Sequence, residues 1–222
     1  KELDLKKHNL IAWVFGHYHN HFINEKLGVL NICASTPGSG GIDSSASGSR
    51  IIKIDDTDSV TSEVHYYDMS LARTPENAVW ATDLKGKALF CNTLYENGLV
   101  YIATNDDSWP CVCGIHCLSG DDGSIKWFYA TKNSVKNNIL LTDDRLYAQD
   151  CEGNVYCLDK ATGALIWEKK LQVGAVLSTS SGICMDEGML YAGSSALVTA
   201  LNLSDGSEVW NHFYPNKQTD TS

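Results

Sequence analysis

The chain is poor in positive charge: 17 Lys and Arg stand against 27 Asp and Glu, for a formal net charge of −10. No basic stripe breaks the acidic background, which excludes nucleic acid or an anionic membrane surface as a main partner. Long hydrophobic runs are missing too. No apolar stretch nears the roughly 20 residues of a spanning helix, and no secretory leader is recognisable. Heptads and long amphipathic segments are absent, which leaves short β-type segments as the building material. None of the eight cysteines has a cysteine neighbour. With 222 residues, the chain has room for one large or two modest domains and a real core.

What is present begins with Leu10-Ile11-Ala12-Trp13-Val14-Phe15, followed by Gly16-His17-Tyr18-His19. An apolar run bounded by Gly reads as a buried strand. Two imidazoles one residue apart at its end can converge on metal ions from a short loop. The alternative is a polar loop with no ligand role. His21 extends the alternation, and with Asn20 it reads as a solvated loop position.

Val14 to His19 resembles the last motif of the calcineurin-like metallophosphoesterases, Gly-His-x-His. That resemblance implies that His17 and His19 each hold one of two metal ions. Mn, Fe or Zn would suit such imidazole ligands. The pair of ions would activate a water for attack on a phosphate mono- or diester. The family's upstream motifs, Asp-x-His, Gly-Asp and Gly-Asn-His, do not occur in residues 1–15, and the chain opens on Lys1 rather than Met. The expectation is a piece that starts inside such a domain, carries no complete catalytic set and is inactive alone.

Downstream, Leu27 to Ala34 reads as a strand and Ser35 to Ser49 as a Ser/Gly loop. Arg50 to Ile54 and Val60 to Tyr67 alternate like a hairpin around Asp55-Asp56-Thr57-Asp58. Backbone N–H groups at Ser35, Thr36, Gly38 and Ser39 could line a phosphate pocket; a flexible surface loop is the other reading. Arg73 to Asn77 breaks the pattern, placing a boundary near residues 68–77.

The second half repeats. Trp80, Trp127, Trp167 and Trp210 are spaced by 47, 40 and 43 residues. Gly123, Gly163 and Gly206 each precede the later tryptophans by four residues. Upstream stand Val100-Tyr101, Leu146-Tyr147 and Leu190-Tyr191. A period near forty with short strands and turn residues predicts propeller blades or a related β array.

Cys157 to Trp167, Cys-Leu-Asp-Lys-Ala-Thr-Gly-Ala-Leu-Ile-Trp, resembles the PQQ-like (quinoprotein) repeat. The resemblance implies that each Trp packs on the next blade and that the Thr-Gly turn sets the hairpin before it. It covers residues 80–210 as three units plus the start of a fourth, the first with an insertion around residues 106–114. Three units do not close a ring. In the dehydrogenases the quinone lies in a closed ring beside a Cys-Cys disulfide and a calcium site; with neither pair nor ring here, pyrroloquinoline quinone is not expected. Cys117 and Cys157 align with Ala200, and Cys184 with Leu94 and Leu140, so all three are read as core. Cys111, Cys113, His116 and Cys117 form the one further cluster. Its spacing fits no common zinc motif, and in an exported protein Cys111 or Cys113 would enter a disulfide instead.

The expected fold is mostly β: PQQ-like β-propeller blades, ring incomplete, preceded by the closing strands of an α/β metallophosphoesterase domain. The domains would be 1–70 and 71–222. The expected function is part of a metal-dependent phosphoesterase, with His17 and His19 as metal residues and the propeller positioning substrate or partner. The alternative is a non-enzymatic propeller scaffold that binds protein. Open blade edges would favour a protein partner or self-association. Such fusions imply a periplasmic or secreted setting.

Overall fold

The computed structural model describes residues 8–16, 19–35, 45, 47–67, 76–172, 182–194 and 197–213. The chain divides into two compact units. One is Lys1–Ala78 with Asp106–Val112; the other is Val79–Asn105 with Cys113–Ser222. Among the described residues there is no α-helix.

In the first unit, β1 (Ala12–Phe15), β2 (Phe22–Lys26) and β3 (Val29–Cys33) form a sheet in the order β1-β3-β2. β1 runs parallel to β3 and β2 antiparallel to it. The strand expected over Leu27 to Ala34 starts later, at Val29. Leu27 and Gly28 both have positive φ, 56° and 73°, and turn the chain back from β2, which the half-polar run Phe22 to Lys26 had not announced. β4 (Gly48–Ile54) and β5 (Val60–Tyr66) pair as the expected hairpin. Its bend is fixed by the Asp55 carboxylate, which accepts from the Thr57 and Ser59 amides and the Thr57 hydroxyl. Those bonds hold the carboxyl below its ordinary range.

The second unit is three four-stranded antiparallel sheets, each in chain order. The first holds β6 (Leu94–Glu96), β7 (Leu99–Ala103), β8 (Gly114–Ser119) and β9 (Ile125–Ala130). The second holds β10 (Leu140–Leu141), β11 (Arg145–Gln149), β12 (Asn154–Asp159) and β13 (Leu165–Lys170). The third holds β14 (Ile183–Asp186), β15 (Met189–Ser194), β16 (Leu197–Asn202) and β17 (Glu208–Phe213). Consecutive up-and-down strands at this period are the blade pattern that the repeat predicted.

The registers repeat as well. Tyr101, Tyr147 and Tyr191 lie opposite Cys117, Cys157 and Ala200. Those three lie opposite Trp127, Trp167 and Trp210, and a register shift follows at the same step in every sheet. A small residue at that place leaves room for the aromatic pair on either side, whose centroids are 6.1, 5.9 and 6.0 Å apart.

Packing between sheets follows from this. Tyr101, Ala103, Ile115 and Cys117 of the first sheet form one core with Leu146, Ala148, Tyr156 and Leu158 of the second. Tyr147, Val155, Cys157 and Trp167 form the next with Leu190, Ala192 and Leu201 of the third. Each blade thus lays its Tyr–Trp face on the opposite face of its successor. Cys184, expected in the core, is exposed. Its alignment holds, since it pairs with Tyr191 as Leu94 and Leu140 pair with Tyr101 and Tyr147. No described blade lies beyond the third, however, so the face on which Leu94 and Leu140 are partly buried has no described blade against it here.

Candidate functional site

The histidine loop leaves the end of β1 through Gly16. His17, the first expected metal residue, lies outside the described residues, as do Thr36, Gly38 and Ser39 of the expected phosphate loop. His19 has a left-handed backbone, φ 56°, and its carbonyl accepts from the Ser35 hydroxyl at 3.1 Å. His21 is the surprise. Read as a solvated position, it is only 1% exposed. Its amide donates to Ser45 Oγ, its Nδ1 accepts from the Ser35 amide, and its carbonyl accepts from the Trp109 amide. Its ring stands edge-on to Tyr66 at 5.6 Å. It sits beside the hairpin, since a Cβ on Gly48 would lie 3.3 Å from its Nε2. His21 therefore pins the loop. Among the described residues no group of three or more His, Cys, Asp or Glu is placed to hold a metal ion.

The cysteine cluster does not gather around a common point. His116 and Cys117 are neighbours in β8 and so face opposite sides of the sheet. Cys113 contacts the Thr131 hydroxyl, 3.8 Å away. None of the eight cysteines is joined in a disulfide. Burial pushes the Cys117 and Cys157 thiols up and the adjoining Tyr101 and Tyr147 hydroxyls up to about 12, which marks these groups as packing rather than reactive.

The most regular geometry of the second unit is a tryptophan laid on a glycine turn. Ser119, Asp159 and Asn202 each start the same turn: their carbonyls accept from the Gly123, Gly163 and Gly206 amides at 2.8–2.9 Å. All three glycines have φ of 70–72°, a left-handed conformation that costs an L-residue about 1–2 kcal/mol. Above them lie Trp80, Trp127 and Trp167 of the preceding segment. A Cβ on these glycines would fall 2.5–2.6 Å from the indole rings. Each indole Nε1 donates to the carbonyl three residues before the glycine: Trp80 to Gly120 at 2.9 Å, Trp127 to Lys160 at 3.2 Å, Trp167 to Leu203 at 3.2 Å. Glycine is thus required twice over, by φ and by space.

A second polar contact repeats beneath the first. Five residues after Trp80 and Trp127, the Lys85 and Lys132 amides donate to His116 Nε2 at 3.2 Å and to the Tyr156 hydroxyl at 3.0 Å. His116 and Tyr156 occupy the same place in their blades, both fully buried. Burial, helped by the nearby Lys85 ammonium, holds the His116 imidazole down at about 4, so it is a neutral acceptor at pH 7. Tyr156 in turn donates to the buried Asp150 carboxylate at 2.8 Å, which also accepts from the Asn154 amide and side chain. Sequence reasoning missed this layer because its members are a His in one blade and a Tyr in the next.

The surface chemistry is on the last strand of each sheet. Ile125 in β9, Leu165 and Ile166 in β13, and Val209, Trp210 and Phe213 in β17 are all 45–60% exposed. Ile125 and Leu165 occupy one position of the repeat, Ile166 and Val209 the next. These strands end their sheets, so each offers apolar side chains beside a row of backbone donors and acceptors.

Three comparisons with known proteins bear on this geometry. A family model described as outer membrane protein assembly factor BamB matches residues 69–222. A tetrathionate hydrolase of Acidithiobacillus ferrooxidans is 26% identical over 103 residues, 46% of this chain and 20% of the hydrolase. The chain thus spans about a fifth of that relative's length. Among solved structures, BamB from Moraxella catarrhalis superposes with a TM-score of 0.46 and 16% identity, over 61% of this chain and 39% of that one. A quinohemoprotein alcohol dehydrogenase from Comamonas testosteroni gives 0.49 and 16%, over 60% and 22%.

Proposed function

Because this chain belongs to the repeat family of the outer membrane protein assembly factor BamB, we propose that it works as a non-enzymatic β-propeller scaffold that binds another protein. The observation that carries this reading is the exposed apolar positions on β9, β13 and β17, which recur at equivalent places along end strands. Such edges accept an added strand, with main-chain hydrogen bonds for affinity and alternate side chains for specificity. The Lys85–His116 and Lys132–Tyr156 contacts, by contrast, join one repeat segment to the next. The reading carries a periplasmic setting with it, which the family's description as an outer membrane protein assembly factor supports.

The test is site-specific photo-crosslinking from Ile125, Leu165 and Ile166 in cells that make the protein. The expected result is one protein adduct shared by these positions and lost on Leu165→Asp/Ile166→Asp. Absence of adducts at all three sites would contradict the reading.

A second reading has one observation in its favour. β1 is the parallel edge of its sheet, and Trp13 and Val14 on it are 53% and 60% exposed. Parallel sheets are normally covered on both faces, which supports the reading of residues 1–70 as part of an α/β domain. In that reading His17 and His19, following β1, would each hold an ion of a phosphoesterase site. Phosphate-ester hydrolysis by the longer protein would then vanish on His19→Ala, and unchanged turnover would sink this second reading.

A further inference from the structure

One cation of the first unit meets no anion among the described residues. Arg50 stands in β4 opposite Val64 of β5. Its Nη1 donates to the Ser62 hydroxyl oxygen at 2.6 Å, while its Nε is buried and has no hydrogen-bond partner among the described residues. The ion pairs of the described residues all involve other side chains.

Strand alternation accounts for this isolation. Arg50 shares its face of the hairpin with Ile52, Val60, Ser62 and Val64, all partly buried and none of them acidic. Lys53, Glu63 and His65 lie on the opposite, exposed face. A guanidinium is charged throughout the physiological range. Burial lowers the pKa of Arg50, opposed by Tyr66 and Cys33. A half-buried charge with a single neutral partner is costly to hold.

We propose that Arg50 holds a small carboxylate ligand in the first unit. Nη1 is engaged by Ser62, so the edge left to the ligand is Nε–H beside Nη2–H. These two parallel donors match the two oxygens of a carboxylate. One guanidinium balances one negative charge. A phosphate dianion would leave an excess charge beside it, with no second cation on that face and a chain of net charge −10 around it. The burial of Nε admits a small molecule rather than a flat protein surface. The site needs no metal, and it goes beyond both readings given above.

Nuclear magnetic resonance of the full chain, isotope-labelled at arginine Nε, provides the test. Arg50, Arg73 and Arg145 are the arginines of the sequence, so few signals compete. Arg145 is the internal control, because its guanidinium serves the Leu203 and Ser204 carbonyls. Acetate is titrated at constant ionic strength against chloride, with phosphate in a parallel series. The expected result is a saturable shift of the one Nε–H signal that is missing in Arg50→Gln. Phosphate at equal concentration should move that signal less.

An Arg50 signal that stays in place would overturn the proposal. So would a shift shared in step with Arg73 and Arg145, which would report bulk salt. A larger response to phosphate would overturn the carboxylate assignment in favour of a polyvalent oxyanion. Should Arg50→Gln not fold, Arg73→Lys and Arg145→Lys assign the Arg50 signal by elimination. Loss of the crosslinks at Ile125 and Leu165 would remove the protein-binding reading and leave this site untouched.

Discussion

Trp167 lies flat on Gly206: a Cβ on the glycine would fall 2.6 Å from its ring, and the indole Nε1 donates to Leu203 at 3.2 Å. Gly206→Ala therefore meets two costs, a left-handed backbone and a collision with a ring already 9% exposed. Together these come to about 2–4 kcal/mol. Chemical denaturation of the variant should read that loss, and Gly163→Ala should match it. A loss under about 0.5 kcal/mol would mean that the Trp167 ring does not press on Gly206.

Truncation of the tryptophans should be unequal. Trp167→Ala opens a cavity between two blades and is expected to cost about 3–5 kcal/mol. Trp210→Ala removes an exposed ring and should cost less than about 1 kcal/mol. The comparison needs only the two denaturation midpoints, and equal losses would contradict the open face of the third blade.

The blade array was legible because its landmarks are chemically narrow: only Gly tolerates φ near 70° beneath an indole, and only a small residue fits between Tyr and Trp. Cys117 and Cys157 were read as core on that ground, and they are. Cys184 was misread because its exposure depends on what lies beyond the third sheet, which no local pattern encodes. The strand Phe22 to Lys26 escaped notice because it ends in Asn24-Glu25-Lys26. His21 was taken for loop because its three hydrogen bonds reach Ser35, Ser45 and Trp109, residues distant in sequence. Of the expected metal pair, the described residues include His19 alone.

Acid should loosen the first blade before the second. His116 is held at about 4 in the fold, against an ordinary value of about 6.5. Its neutral form is therefore favoured by folding. The associated stability is fully present above about pH 6.5 and is lost as pH falls toward 4, by about 3 kcal/mol in all. Protonated Nε2 would face the Lys85 amide donor-to-donor. Urea midpoints between pH 7 and 4 should fall steeply in the wild type and less so in His116→Tyr, which restores the acceptor used at Tyr156. Equal slopes would show that His116 does not carry the effect.

Metal content separates the two readings of the first unit. Elemental mass spectrometry of the purified chain should find Mn, Fe or Zn that disappears in His17→Ala/His19→Ala if the loop keeps its ligand geometry. Metal retained in the double variant would contradict the ligand role of the histidine loop. No metal in either would leave the repeats as the functional part of this chain.

The most direct test of the account is a double-mutant cycle between Trp167 and Gly206, read by chemical denaturation. With the indole present, Gly206→Ala should cost about 2–4 kcal/mol; in the Trp167→Ala background only the backbone cost of about 1–2 kcal/mol should remain. A coupling of 1 kcal/mol or more would confirm that tryptophan on glycine joins one blade to the next. Additive losses would contradict it.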